Sequence, residues 1–179
     1  MKGLLFCEFL EFLENQIGED NAQEIIDSAE LASEGAYSRV GFYDYQELIE
    51  LLVKTAAYTQ KDTEILLQGF ADHLFDVFHR DYDVFFANTS SAADMLKTID
   101  DHIHVEVKKL YPDAELPKFR YEEYEGELHL YYQSPRPLAA VAHSLVLACL
   151  KFYKHSQKLQ RFEISEDQKS AIFVIVDDV

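Results

Sequence analysis

Residues 104–136 read HVEVKKLYPDAELPKFRYEEYEGELHLYYQSPR, and the reading of this stretch decides the rest of the chain. It opens on His104 within a helical pattern, passes twelve residues to Pro117, and after fourteen more ends in Tyr132-Gln133-Ser134-Pro135-Arg136. Tyr111-Pro112-Asp113 ends the helix. Pro117 keeps another from forming cleanly, because proline lacks an N–H and disfavours helical backbone before it. Phe119 to Tyr124 and Glu127 to Tyr132 then alternate around Glu125-Gly126, the pattern of a β-hairpin. Alternate strand residues point to one face, so Tyr132, Ser134 and Arg136 are expected to converge on a single anionic object.

One soft metal ligand followed by two hydroxyls and a guanidinium is the donor set that a haem requires. The histidine supplies one axial bond to iron, and the other three cradle two propionates. Arg136 can take a carboxylate bidentately, while Tyr132 and Ser134 each donate one bond. Neither half is specific alone. A helix histidine is commonly a surface or half-buried side chain, Pro117 can simply turn the chain, and Tyr-x-Ser-x-Arg is also an ordinary polar strand exit. His102 shares the helix with His104, but two positions turn it about 200° around the axis, so at most one of them ligates a given iron.

Outward from this stretch the N-terminal part reads as helices. Leu4, Leu5, Phe9, Phe12, Leu13 and Ile17 recur at helical spacing over residues 4–17, ended by Gly18. A second helix is expected around 20–33. Asp44 can cap a third that runs to about Tyr58, with Leu48, Ile49, Leu51, Leu52 and Ala56 on or near one face. Asp62 can cap a fourth, with Ile65, Leu66, Phe70, Leu74, Phe75 and Phe78 inward. Asn88-Thr89-Ser90-Ser91 breaks the pattern and starts a helix from Ser91 to Lys109. Beyond the hairpin, Leu138 to His155 reads as a helix, and residues 159–165 and 171–177 as strands. Ala171 to Val176 is a continuous apolar run, which suits a covered central strand. The class is α+β.

The length of 179 residues suits one domain that can enclose a cofactor, and 13 Phe with 11 Tyr carry the aromatic content. The formal net charge of −17 weighs against nucleic acid and anionic membrane faces as partners. It also means that a buried anion needs its own local cation, for which Arg136 is the supplier. Cys7 and Cys149 sit in apolar helical patterns and are expected as free thiols. Glu8, Glu11 and Glu14 interrupt the first apolar run, so it does not read as a signal peptide. No segment has the length of a membrane span, and the expected location is cytoplasmic. His155 alone makes no structural zinc site.

His104, Pro117 and Tyr132-x-Ser134-x-Arg136 at these spacings resemble the signature of the H-NOX (haem–nitric oxide/oxygen binding) family, and the likeness runs from Met1-Lys2-Gly3 to the C-terminal strand. The nearest type is the stand-alone bacterial one, related to the haem domain of soluble guanylate cyclase. The resemblance implies a single domain over residues 1–179, with a helical subdomain of about 1–60 and a haem-bearing part of about 61–179 built on a four-stranded antiparallel sheet. It implies haem b (iron protoporphyrin IX) on His104, with Tyr132, Ser134 and Arg136 at the propionates and Pro117 packed on the macrocycle, bending it. Helices beginning at Leu4 and Leu138 would cover the distal face, with Leu5, Phe9, Phe75, Val141 and Leu145 lining it. In oxygen-binding members the position of Val141 carries a tyrosine that donates to bound O2. Val141 and Leu145, four apart, share one helix face, and His143 points to the other side. Without a donor worth about 1.5–3 kcal/mol, O2 affinity falls roughly ten- to hundred-fold, whereas NO needs no such help.

The function implied is a haem-based nitric oxide sensor that also takes CO and is not an enzyme. Gas binding would weaken the bond to His104 and signal to a partner, a histidine kinase of a two-component system or a cyclic-di-GMP enzyme. An oxygen-binding haem sensor and a haem-free acidic protein-interaction domain are the alternatives.

Overall fold

The computed structural model describes residues 1–154 and 156–178. They form two compact units, Met1–Leu74 and Phe75–Val179. The first holds α1 (Gly3–Ile17), α2 (Glu19–Ser28), α3 (Tyr45–Thr59) and the first turns of α4 (Thr63–Asp81). Phe6, Phe9, Phe12 and Leu13 are the buried large apolar side chains of α1. Gly18 ends that helix at φ 87°, a conformation that costs glycine little, and its N–H bonds Glu14 O. Gly3 is fixed by space instead. Met1-Lys2-Gly3 pairs with Gly41-Phe42-Tyr43, and a Cβ on Gly3 would fall 1.9 Å from Ser38 O.

α2 stops at Ser28, short of the expected 33, where Ala29 turns to extended backbone; Ser33 beyond it donates its hydroxyl to Glu47 Oε2 at 2.5 Å. α3 starts where expected, with the Asp44 side chain accepting from Gln46 N–H at 3.0 Å. In α4 Leu66, Phe70 and Leu74 are buried, but Ile65 is 61% exposed, about 100° round the axis from Leu66. Phe70 meets Phe9 edge-on at 5.0 Å and Phe12 at 5.8 Å, and Gly69 lies against the Phe12 ring. These contacts explain why the first unit runs past the helix break near residue 60, the expected boundary, and divides from the second inside α4.

The second unit contains α5 (Ala92–Thr98), α6 (His104–Leu110), β1 (Lys118–Tyr124), β2 (Glu127–Gln133), α7 (Ala139–Phe152), β3 (Gln157–Ile164) and β4 (Ser170–Asp177). The helix expected from Ser91 to Lys109 is not continuous: a π-helical turn, Ile99–Ile103, separates α5 from α6. Ser91 caps α5, its hydroxyl accepting from Asp94 N–H at 3.1 Å. The strands make one antiparallel sheet in the order β1-β2-β4-β3. Glu125 and Gly126 turn the β1–β2 hairpin at φ 47° and 90°, the paired positive values of a type I′ turn. β4 lies between β2 and β3, and Ala171, Phe173, Val174 and Ile175 are buried, as its apolar run predicts. α7 packs on β2, β3 and β4 with Ala142, Val146, Cys149 and Leu150 buried. The expected end of this helix at His155 lies outside the described residues. Among the described residues no helix is long and apolar enough to cross a membrane.

Candidate haem site

His104 begins α6, directly after the π turn, and its backbone N–H closes that turn on Ile99 O. A π turn bonds five residues back and winds more slowly than an α-helix. The His104 side chain is 17% exposed, while His102 is exposed. Asp100 Oδ1 lies 3.0 Å from His104 Nδ1. An ionised carboxylate only accepts, so in this contact Nδ1–H is the donor, and a neutral ring would then carry its lone pair on Nε2. The Phe119 ring sits 5.8 Å from the imidazole, and the Tyr132 ring 5.3 Å from Phe119, its register partner across β1 and β2. One aromatic side chain thus links the candidate axial ligand to the start of the anion clamp.

The clamp is built differently from the expected strand alternation. β2 ends at Gln133, and Ser134-Pro135-Arg136 lies in a bend. Proline has no N–H for a ladder, so the strand cannot continue in register. Ser134 holds the bend instead: its N–H bonds Lys169 O at 2.8 Å, and its hydroxyl accepts from Arg136 N–H at 3.1 Å. Tyr132 and Ser134 are buried and their hydroxyls are hydrogen-bonded. Burial raises the Tyr132 phenol above its ordinary value, against the opposing pull of the Ser134 bond and the Arg136 charge, so it stays a neutral donor. Arg136 gives Nη1–H to Glu115 O at 3.1 Å and Nη2–H to Glu115 Oε2 at 2.5 Å. Glu115 is 66% exposed, and pairs of that kind are worth about 0–1 kcal/mol, so another carboxylate can compete for the guanidinium. Pro117 is half-buried just before β1.

These residues suit a haem. A helix imidazole presents Nε2 with its other nitrogen held by a carboxylate, as metal-ligating histidines require. Tyr132, Ser134 and Arg136 supply two neutral donors and one cation for carboxylates. An open groove of about 750 Å³ borders Asp100, Phe119 and Tyr132, but His104 and Arg136 are not among its lining residues. Among the described residues no cluster of three or more His, Cys, Asp or Glu side chains could hold a metal ion, so a metal here would depend on its macrocycle.

The five expected distal residues divide between the units. Leu5 and Phe9 lie on α1, Leu5 half-buried and Phe9 buried. In the second unit Phe75 packs on Phe86 at 5.6 Å and on Phe152 of α7 at 5.3 Å. Val141 and Leu145 are half-buried on α7. His143 stacks on Phe162 at 4.0 Å and parallel to Phe173, which directs it to the sheet. Asp100, Glu115 and Phe119 were not singled out from sequence. Asp100 carries a usable signal, a carboxylate four residues before the histidine. Glu115 carries none, because the turn that brings it to Arg136 cannot be read from spacing.

A family model described as Haem-NO-binding matches residues 2–161. Among solved structures, an Fe(II) unliganded H-NOX protein from K. algicida is 35% identical at a TM-score of 0.89, with 100% of this chain and 97% of that chain covered. An IWP-051-bound H-NOX from Shewanella woodyi in the Fe(II)CO ligation state is 33% identical at 0.81, with 99% and 94% covered. An H-NOX protein from S. oneidensis in the Fe(II)NO ligation state shares the fold at 0.82 with 22% identity, both chains covered in full. No curated protein matches. A match that takes in His104, Pro117 and the whole of Tyr132 to Arg136, with the same architecture in relatives a third identical, shows that the chain belongs to the H-NOX family of haem-binding gas-sensor domains.

Proposed function

We propose that this protein is a nitric oxide sensor that binds haem b on His104 and reports to a separate signalling protein. The observation that carries the reading is an imidazole paired at Nδ1 with Asp100 and linked through Phe119 to the buried Tyr132, which neighbours Ser134 and Arg136. Ferrous haem supplies the gas-binding iron. His104 would hold the iron, Tyr132, Ser134 and Arg136 would hold the propionates, and Pro117 would pack on the macrocycle. We place the domain in the cytoplasm as a sensor rather than an enzyme, and its free thiols Cys7 and Cys149 suit a reducing compartment.

Selectivity follows from what Leu5, Phe9, Phe75, Val141 and Leu145 lack. None carries a hydrogen-bond donor, so O2 gains no polar stabilisation beside them, while NO and CO do not depend on it. Signalling follows from the position of His104 at a helix start after an irregular turn. Haem would supply the gas-binding iron and His104 would tie α6 to it, so α6 would be freed where NO loosens that tie and held where CO leaves it intact. A ligand shifts a conformational equilibrium only by its differential affinity for the two states. NO should therefore alter the partner, a histidine kinase or a cyclic-di-GMP enzyme, more than CO does.

Replacement of His104 by Gly tests the assignment. Haem retention should fall, exogenous imidazole should restore the absorption spectrum in part, and His102→Ala should leave it unchanged. The reverse behaviour of the two variants would move the axial ligand to His102.

A further inference from the structure

The turn before His104 aims its side chain. The i−5 bond from His104 N–H to Ile99 O widens the helix at this one point, and π turns recur where a functional side chain needs a special direction. The imidazole so placed has a different neighbour on each of two sides. Asp100 Oδ1 faces Nδ1 at 3.0 Å, and the Phe119 ring lies 5.8 Å from the imidazole centroid. Asp100 is 39% exposed against 17% for His104, so the carboxylate reaches from the wetter rim onto the drier ring. It also borders a small cavity of about 190 Å³, whose lining is mixed: Leu96, Phe119 and Leu130 on the apolar side, Lys97, Asp101 and Arg120 on the charged one.

Resting on the haem assignment above, we propose that Asp100 is a positioning residue for His104 that sets the strength of the iron–histidine bond. Its carboxylate accepts the Nδ1 proton, holds the ring in one orientation and makes Nε2 the stronger donor. A His104 so held would resist release from the iron on NO binding. Asp100 thereby sets how readily NO frees α6, although it touches neither the gas nor the iron.

Resonance Raman spectra of the ferrous protein read the iron–histidine stretch directly. Asp100→Asn keeps the size and one acceptor oxygen but removes the charge, Asp100→Ala removes the acceptor, and Asp100→Glu restores a carboxylate. The stretch should be highest in wild type, largely recovered in Asp100→Glu, lower in Asp100→Asn and lowest in Asp100→Ala. Haem loss to apomyoglobin should be about ten-fold faster in Asp100→Ala. In proton NMR spectra of the CO complex, the His104 Nδ1–H should be protected from exchange in wild type and Asp100→Glu, and unprotected in Asp100→Ala. A wild-type stretch and a protected Nδ1–H in Asp100→Ala would overturn the proposal and leave the haem assignment standing. If Asp100→Ala retains no haem, the wild-type Nδ1–H decides, and exchange at the rate of a solvent-exposed imidazole overturns the proposal. A stretch that persists in His104→Gly would instead overturn the haem assignment itself.

Discussion

At the scale of single residues, the account rests on charges that are shared rather than isolated. Arg136 has five N–H donors, and Glu115 takes two of them, so the guanidinium retains donors for a propionate. Arg136→Ala should accelerate haem loss to an acceptor protein roughly ten- to hundred-fold, the worth of one or two charge-assisted hydrogen bonds at about 1.5–3 kcal/mol. Ser134→Ala removes a neutral donor worth about 1 kcal/mol and should do less, though it also loosens the bend that holds Arg136. Transfer rates followed by absorbance check the order, and equal, negligible effects would remove the clamp from the account. His104, Tyr132, Ser134 and Arg136 could be singled out in the sequence as candidates because their donor types recur at a fixed spacing. Their partners could not, because Glu115 reaches Arg136 only through the turn that leads to Pro117. Glu8 shows the same limit. It reads as a polar break in an apolar run, yet it is completely buried, taking Arg39 on one oxygen and His73 on the other at 3.1 Å. A buried carboxylate needs such partners, and nothing within α1 announces residues so far along the chain.

At the scale of elements, the path from Ser91 to Leu110 is the part that the sequence described least well. Helical periodicity predicted one helix, and its start at Ala92, capped by Ser91, lies within a residue of the expected one. The π turn was not foreseen, because Ile99-Asp100-Asp101-His102-Ile103 contains no glycine or proline to mark an irregularity. The hairpin was legible for the opposite reason: Glu125-Gly126 carries its turn signal in residue type, and only a few conformations satisfy it. Capping gives a direct test of how firmly α5 anchors the turn that carries His104. Ser91→Ala should cost about 1 kcal/mol in denaturant unfolding. Asp94 joins the same cap, and hydrogen bonds from the Ser90 hydroxyl and N–H and from Ser91 hold its carboxyl below the usual value, burial opposing them. A carboxylate whose folded value is depressed adds stability above its unfolded value and loses it as pH falls through the folded one. The destabilisation caused by Asp94→Asn should therefore be full near neutral pH and shrink as pH falls below about 4. A cost that does not change with pH would show that Asp94 acts through shape rather than charge.

At the scale of the whole molecule, the acidic exterior and the gas site impose separate demands. A net charge of −17 favours a partner with a basic docking surface and makes association weaken as salt rises. A buried haem would then need its own local positive charge, for which Arg136 is the proposed supplier. Family, α+β class and antiparallel sheet were all legible from residues 104–136 and the elements around them. The division inside α4 was not, because it depends on Phe9 and Phe12 packing against Phe70 rather than on a break in the pattern. The same limit applies to the distal residues, whose types are apolar in the sequence but whose effect on a bound gas is a property of the assembled protein. The most direct measurement is the absorption spectrum of the reduced protein, recorded first without gas, then in air, then with NO. A ferrous haem spectrum that air does not convert to a lasting oxygen-bound form, and that NO shifts to that of a complex released from His104, is the predicted result. A stable oxygen-bound spectrum in air, or a purified protein that shows no haem absorption and takes up none when haem is added, would contradict it.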